Sequence, residues 1–136
     1  MSVVGPRYGF EHNVRMAVGA LGQVHISVRD IDRSIKFYRD VLGIKFLFRV
    51  PGQPMAFFQA GDVRLYLGTP ESPEFASKCV LYFRVDDLDT EYGRLRGEGV
   101  AFLDEPHRVH RDNDGELWMV FLADPDGHQI GLMQLR

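Results

Sequence analysis

The chain is poor in the features that would tie it to particular settings. It has one cysteine, Cys79, in 136 residues, so no disulfide can close within it. A fold that depends on an oxidising compartment is therefore not expected. No apolar run approaches the ~20 residues that cross a bilayer, which argues against a transmembrane helix. The first twenty residues carry Arg7, Glu11 and Arg15 and no continuous apolar stretch, unlike a secretory leader. The cytoplasm is the expected location. Positive charge is not in excess: 16 Lys and Arg against 19 Asp and Glu give a net charge of −3. No broad phosphate-binding face is expected, and nucleic acid is not an expected partner. Tryptophan occurs once, as Trp118.

What is present is repetition. Val28 to Phe46 read VRDIDRSIKFYRDVLGIKF, and Val85 to Phe102 read VDDLDTEYGRLRGEGVAF. Val28 lies over Val85, Asp30 over Asp87, Ile31 over Leu88 and Asp32 over Asp89. One residue is then dropped, and Gly43 falls over Gly99, Ile44 over Val100 and Phe46 over Phe102. A further echo sets GDVRLYL, Gly61 to Leu67, against GHQIGLM, Gly127 to Met133. The period is too long for a solenoid and reads as two copies of one supersecondary unit in a single domain. Residues 1–20 show no clear period and read as an N-terminal extension, partly ordered. Residues 21–136 form the domain, with module one at 21–70 and module two at 78–136.

The elements follow from local pattern. Gln23 to Val28 is a short β-branched strand. Asp30 is a helix N-cap, Ile31, Ile35, Tyr38 and Leu42 recur at helical spacing, and Gly43 ends the helix. Strands are expected at Lys45 to Val50, Met55 to Gln59 and Val63 to Leu67. Thr69 to Lys78, with two prolines and two serines, reads as a linker. The second copy runs as a strand at Val80 to Val85, a helix at Leu88 to Arg96 and a strand at Val100 to Leu103. Strand structure extends over His107 to Arg111, followed by strands at Leu117 to Leu122 and Gln129 to Gln134. Each copy is thus a βαβββ module.

One helix covers one face of each four-stranded unit, so the other face must meet something else. Alternation assigns the faces. Val24, Ile26 and Val28 belong under the first helix, leaving Gln23, His25 and Ser27 to line a cleft. By the same rule Arg64, Tyr66 and Gly68 face the cleft in the first module, and Val80, Tyr82 and Arg84 in the second. Asp124-Pro125-Asp126-Gly127 reads as a hairpin turn rather than a metal loop. Across it Leu122 is expected to oppose Gln129, Val120 to oppose Gly131 and Trp118 to oppose Met133. Ile130 and Leu132 then face the helix. His25, Arg64, Tyr66, Trp118 and Gln129 fall on one concave surface, a mixture suited to a small-molecule pocket.

HISVRDIDRSIKFYRDVLG closely resembles the opening of the vicinal oxygen chelate superfamily, which includes glyoxalase I, bleomycin-resistance proteins, extradiol dioxygenases and methylmalonyl-CoA epimerase. FLADPDGHQIGLMQ resembles its closing strand pair. The resemblance covers about Leu21 to Arg136. It implies an α+β fold, in which two βαβββ modules form an open, partly barrel-like mixed sheet around a cleft, and a homodimer. It also implies four positions that hold a divalent metal in the enzymes of the family. Here these fall on His25, Tyr66, Val80 and Gly131. Only His25 is a typical ligand, and one ligand in four does not hold a metal usefully.

The expected function is therefore binding of a small organic molecule, aromatic or acidic, without a cofactor. The ligand-binding candidates are His25, Arg64, Tyr66, Tyr82, Trp118 and Gln129. Arg64 and Arg84 stand at cleft-facing phases as anion clamps or as surface arginines. Phe57 and Phe58 are stacking or core residues. The competing expectation is a metal-dependent lyase, epimerase or dioxygenase with a rearranged ligand set, for which His107 and His110 would join His25. A third is a member whose cavity is filled and whose role is interaction. Asp112, Asp114 and Glu116 lack the spacing of a calcium loop. Cys79 has no activating neighbour in sequence and reads as structural.

Overall fold

A computed structural model describes residues 18–70, 72–73 and 76–136. Residues 1–17 of the expected N-terminal extension lie outside the described residues. The chain divides into two compact units, Leu21–Val80 with Ala123–Gln129, and Leu81–Leu122 with Ile130–Arg136.

In the first unit, β1 (Gln23–Ser27) leads to α1 (Ile31–Ile35), which continues as a π-helical stretch over Lys36–Val41. β2 (Lys45–Arg49), β3 (Met55–Ala60) and β4 (Val63–Gly68) follow, and the sheet order is β1-β4-β3-β2. β1 pairs parallel with β4, and the other pairs are antiparallel. The Asp30 carboxylate accepts the Arg33 backbone N–H and caps α1, as the sequence motif requires. Ile26, Ile35, Tyr38, Phe58, Leu65 and Leu67 form the buried core.

The second unit repeats this plan with β5 (Leu81–Arg84), α2 (Leu88–Gly97), β6 (His107–Asp112), β7 (Gly115–Ala123) and β8 (Gln129–Leu135). Its order, β5-β8-β7-β6, matches the first sheet strand for strand, and β5 pairs parallel with β8. Asp87 caps α2 through Thr90, as Asp30 caps α1. The duplication seen in the sequence is a duplication of topology. Neither sheet closes into a barrel.

Three expectations are corrected. Val100 to Leu103 is not a strand. Only an isolated bridge joins Phe102 to Leu122, and the Asp104 carboxylate takes the Phe121 N–H instead of a partner backbone. The strand equivalent to β2 is β6, which begins after Pro106. The first helix is not α-helical throughout: the Leu42 N–H reaches the Phe37 carbonyl, five residues back. This is the residue that the second copy drops, accommodated as a wider turn.

The third correction is the pairing of β7 with β8. The Asp124 N–H bonds the His128 carbonyl, and Glu116 and Arg136 exchange both backbone hydrogen bonds. The loop is therefore Pro125-Asp126-Gly127, three residues rather than two. Gly127 N–H bonds the Asp124 carbonyl, and Gly127 takes φ 85°. This is a turn followed by a left-handed residue, which adds one residue to the connection. The partners become Leu122 with Ile130, Phe121 with Gly131 and Trp118 with Gln134. A one-residue slip exchanges the faces. Val120 and Leu122 accordingly sit fully buried in the core, and Phe121 takes the side of Tyr82 and Gly131.

Candidate functional site

On the face of the first sheet away from its helix, four aromatic side chains stand in register, one from each strand. His25 of β1 pairs with Tyr66 of β4, Tyr66 with Phe57 of β3, and Phe57 with Phe48 of β2. Successive ring centroids are 4.5, 4.9 and 4.8 Å apart, the last two pairs stacked. Phe48 joins this row because of a bulge. Phe46 opposes Phe58 while Phe48 opposes Phe57, so the register shifts at Leu47. Two residues that strict alternation would put on one face are parted, and Phe48 is aimed away from the core. β6 carries the same irregularity between Arg108 and His110.

Arg64, two residues before Tyr66 on β4, lies over this row. Its guanidinium carbon is 4.5 Å from the Phe57 ring centre and 5.4 Å from that of Phe48, a cation–π placement. Its Nε is buried without a hydrogen-bond partner among the described residues. Gly68, further along β4, leaves the space that Tyr66 uses: a Cβ there would come within 2.7 Å of the Tyr66 ring.

His25 is held from the linker. The Ser77 hydroxyl donates to the His25 carbonyl oxygen at 2.6 Å and lies 3.3 Å from His25 Nδ1. The Ser77 backbone N–H in turn donates to Ser27 Oγ at 2.8 Å. Ser77 thus covers the outer edge of β1 at His25 and Ser27. His25 Nε2 is buried and has no partner among the described residues.

A second polar cluster anchors the Pro125-Asp126-Gly127 loop to the first unit. Tyr38 Oη donates to Asp124 Oδ2, while Asp124 Oδ1 accepts the backbone N–H groups of Asp126 and His128. Burial, reinforced by the Asp124 carboxylate, pushes the Tyr38 phenol far above its ordinary value, so it remains a donor. Asp126 accepts from Arg29 backbone and side chain, from Arg33 and from Ser34. Burial opposes its charge, but the bonds from Arg29 and the nearby Arg33 hold it below the usual carboxylate range. His128 reaches the Ser27 carbonyl through Nε2 at 2.6 Å. The loop is a hairpin turn as read, and it is also the clasp of the unit.

His25, Arg64 and Tyr66 are therefore brought together in one unit, with Phe48, Phe57 and Ser77, which alternation did not single out or left undecided. Phe58 is core. Tyr82 is half exposed in the other unit, its ring edge-on to Phe121. Gln129 is exposed at the start of β8. Trp118 does not share the face of Tyr82. Its indole N–H donates to Glu116, and Arg136, which also pairs with Asp89 of α2, lies 4.2 Å over its ring. Arg84 is exposed. His107 and His110 are engaged locally, with the Glu105 carbonyl and Asp112. Burial raises the Cys79 thiol and keeps it protonated.

The described residues at the implied positions, Tyr66, Val80 and Gly131 beside His25, do not fit a divalent metal. A Cβ at Gly131 would meet the Tyr82 ring at 2.7 Å and the Phe121 ring at 3.0 Å, so both rings would have to move for a carboxylate there. Val80 offers no donor atom, and the Tyr66 side chain is packed between His25 and Phe57. Among the described residues no three His, Cys, Asp or Glu side chains gather to hold an ion.

Known proteins agree with this architecture. The chain is similar to the metallothiol transferase FosB of Lysinibacillus sphaericus (strain C3-41), 31% identical over 121 residues, covering 85% of this chain and 82% of that protein. It is 27% identical over 129 residues to YraH of Bacillus subtilis (strain 168), an uncharacterized protein, covering 83% and 96%. Among solved structures it is similar to TnmS3, an antibiotic-binding protein from Streptomyces sp. CB03234. There the TM-score is 0.73 at 28% identity, over 90% of this chain and 100% of that one. Residues 20–132 match the Glyoxalase/Bleomycin resistance protein/Dioxygenase superfamily, and the chain belongs to it.

Proposed function

We propose that this protein binds a small organic molecule on the aromatic row of its first sheet, and that binding requires no metal. The observation that carries this reading is the row itself. Four rings in register, Tyr66, Phe57 and Phe48 stacked and His25 tilted against Tyr66, stand with one guanidinium on a sheet face, and that guanidinium is in no ion pair among the described residues. Few polar groups among apolar surface is the make-up of a ligand site. The antibiotic-binding neighbour supports it. Calorimetric titration of purified protein with a panel of aromatic acids tests it. Binders are expected, and Arg64→Ala should weaken them by about 1.5–3 kcal/mol if the arginine meets a charged group. Unchanged affinity in Arg64→Ala and His25→Ala, with folding intact, would place the ligand elsewhere. We further propose a cytoplasmic homodimer.

The similarity to FosB favours a second reading, a metal-dependent enzyme with a rearranged ligand set. Elemental analysis after incubation with manganese, zinc, nickel or iron separates the two. Stoichiometric metal that is lost in His25→Ala would support the enzyme; far below one equivalent supports metal-free binding.

A further inference from the structure

Two polar atoms on the row are buried without partners, and their chemistry is opposite. Ser77 has one hydroxyl proton, and the short contact commits it to the His25 carbonyl oxygen. Its Oγ can then meet His25 Nδ1 only as an acceptor, so Nδ1 carries the ring hydrogen. Nε2 is left as a bare lone pair, buried and unmatched among the described residues. Arg64 is the reverse: a permanent cation with donors only, held over Phe57 and Phe48, its Nε buried and unmatched. A buried acceptor and a buried donor left unmade are costly.

Their separation follows from the register. His25 pairs with Tyr66, and Arg64 pairs with Gln23, two residues along. Two residues of strand rise and one strand spacing put the two backbones ~8 Å apart. Tyr66 stands at the corner between them, and Phe57 stacks on Tyr66.

We propose that the ligand is two-ended: a flat ring bearing an anionic group for Arg64 and, across the ring, a hydroxyl or N–H that donates to His25 Nε2. This rests on the binding reading above and narrows it to a hydroxy- or amino-substituted aromatic acid of about one ring in length. A neutral phenol leaves Arg64 unmatched. An acid with its far end alkylated leaves His25 Nε2 unmatched.

The test uses four probes on the full chain at neutral pH: 4-hydroxybenzoate, 4-methoxybenzoate, benzoate and phenol, each titrated by calorimetry. 4-Hydroxybenzoate is expected to bind at least tenfold more tightly than the other three. Arg64→Met, which keeps an apolar stem on Phe57, should abolish the preference over phenol and leave the preference over 4-methoxybenzoate. His25→Phe should do the converse. Should His25→Phe fail to fold, Ser77→Ala tests the same arm: it frees the histidine tautomer and should shrink the hydroxyl preference severalfold while leaving the carboxylate preference intact. Equal affinity for all four probes, or preferences that survive both substitutions, would overturn the two-ended ligand while leaving aromatic binding in place. Binding of none of the four would overturn both readings.

Discussion

Tyr38 and Asp124, 86 residues apart, are joined by a buried 2.7 Å hydrogen bond from the phenol to the carboxylate. The Tyr38 ring is fully buried, and it also packs against Phe37 and Phe58. Asp124 spends its other oxygen on two backbone N–H groups of its own loop. Tyr38→Phe keeps the packing and removes one donor from a buried carboxylate. A loss of about 1.5–3 kcal/mol is expected in urea unfolding. Asp124→Ala should cost more, because the Asp126 and His128 N–H groups are then also orphaned.

Asp126 should make stability fall in acid. Its folded pKa lies below the usual value near 3.9 of an unfolded aspartate. The folded state therefore binds its proton less readily than the unfolded chain. Its contribution is complete above the unfolded value and is lost as pH drops through the lower folded one. Denaturant midpoints measured from pH 7 down to pH 2.5 should show this loss. Asp126→Asn should be less stable at pH 7 by about 1.5–3 kcal/mol, and its acid dependence should be shallower. Parallel pH profiles for the two proteins would contradict it.

Trp118 emission should report on Arg136 rather than on the face of Tyr82. The guanidinium lies 4.2 Å over the indole, and Glu116 takes the indole N–H. Arg136→Ala should change the intensity or wavelength of the single tryptophan signal, and Tyr82→Ala should leave it as it is. The reverse pattern would show that the β7 and β8 pairing is wrong.

Association of two chains is expected from what the surface leaves open. Phe48, Val80, Tyr82, Leu103 and Val109 are each over two-fifths exposed, and β2 and β6 end their sheets. Light scattering should give about twice the chain mass of 15.5 kDa. Charge substitutions at Tyr82 and Val80 distinguish an interface from exposed surface, since they should shift the mass only if these residues are covered.

Much of the architecture was legible because it rests on local chemistry repeated twice. Asp30 and Asp87 cap their helices through bonds three residues long. Gly43 and Gly99 adopt positive φ where the helices end. Period-two alternation placed Ile26, Leu65 and Leu67 inside and His25, Arg64 and Tyr66 on the other face. Even the residue missing from the second copy has a physical counterpart in the π-helical stretch over Lys36–Val41.

What alternation cannot see is a place where the period itself changes. The bulge at Leu47 turns Phe48 into the aromatic row, and nothing in KFLFR announces it. The three-residue loop after Asp124 moves Trp118, Val120 and Leu122 to the opposite face from that expected. The sequence by itself determined the repeated modules, their caps and the inward residues of β1 and β4, because each depends on neighbours a few positions away. The tertiary structure alone decided the parity of β7. Asp124 is drawn inward to Tyr38, His128 to the Ser27 carbonyl and Asp126 to Arg29. These contacts cross about ninety residues or more, and they set how many residues the loop must span.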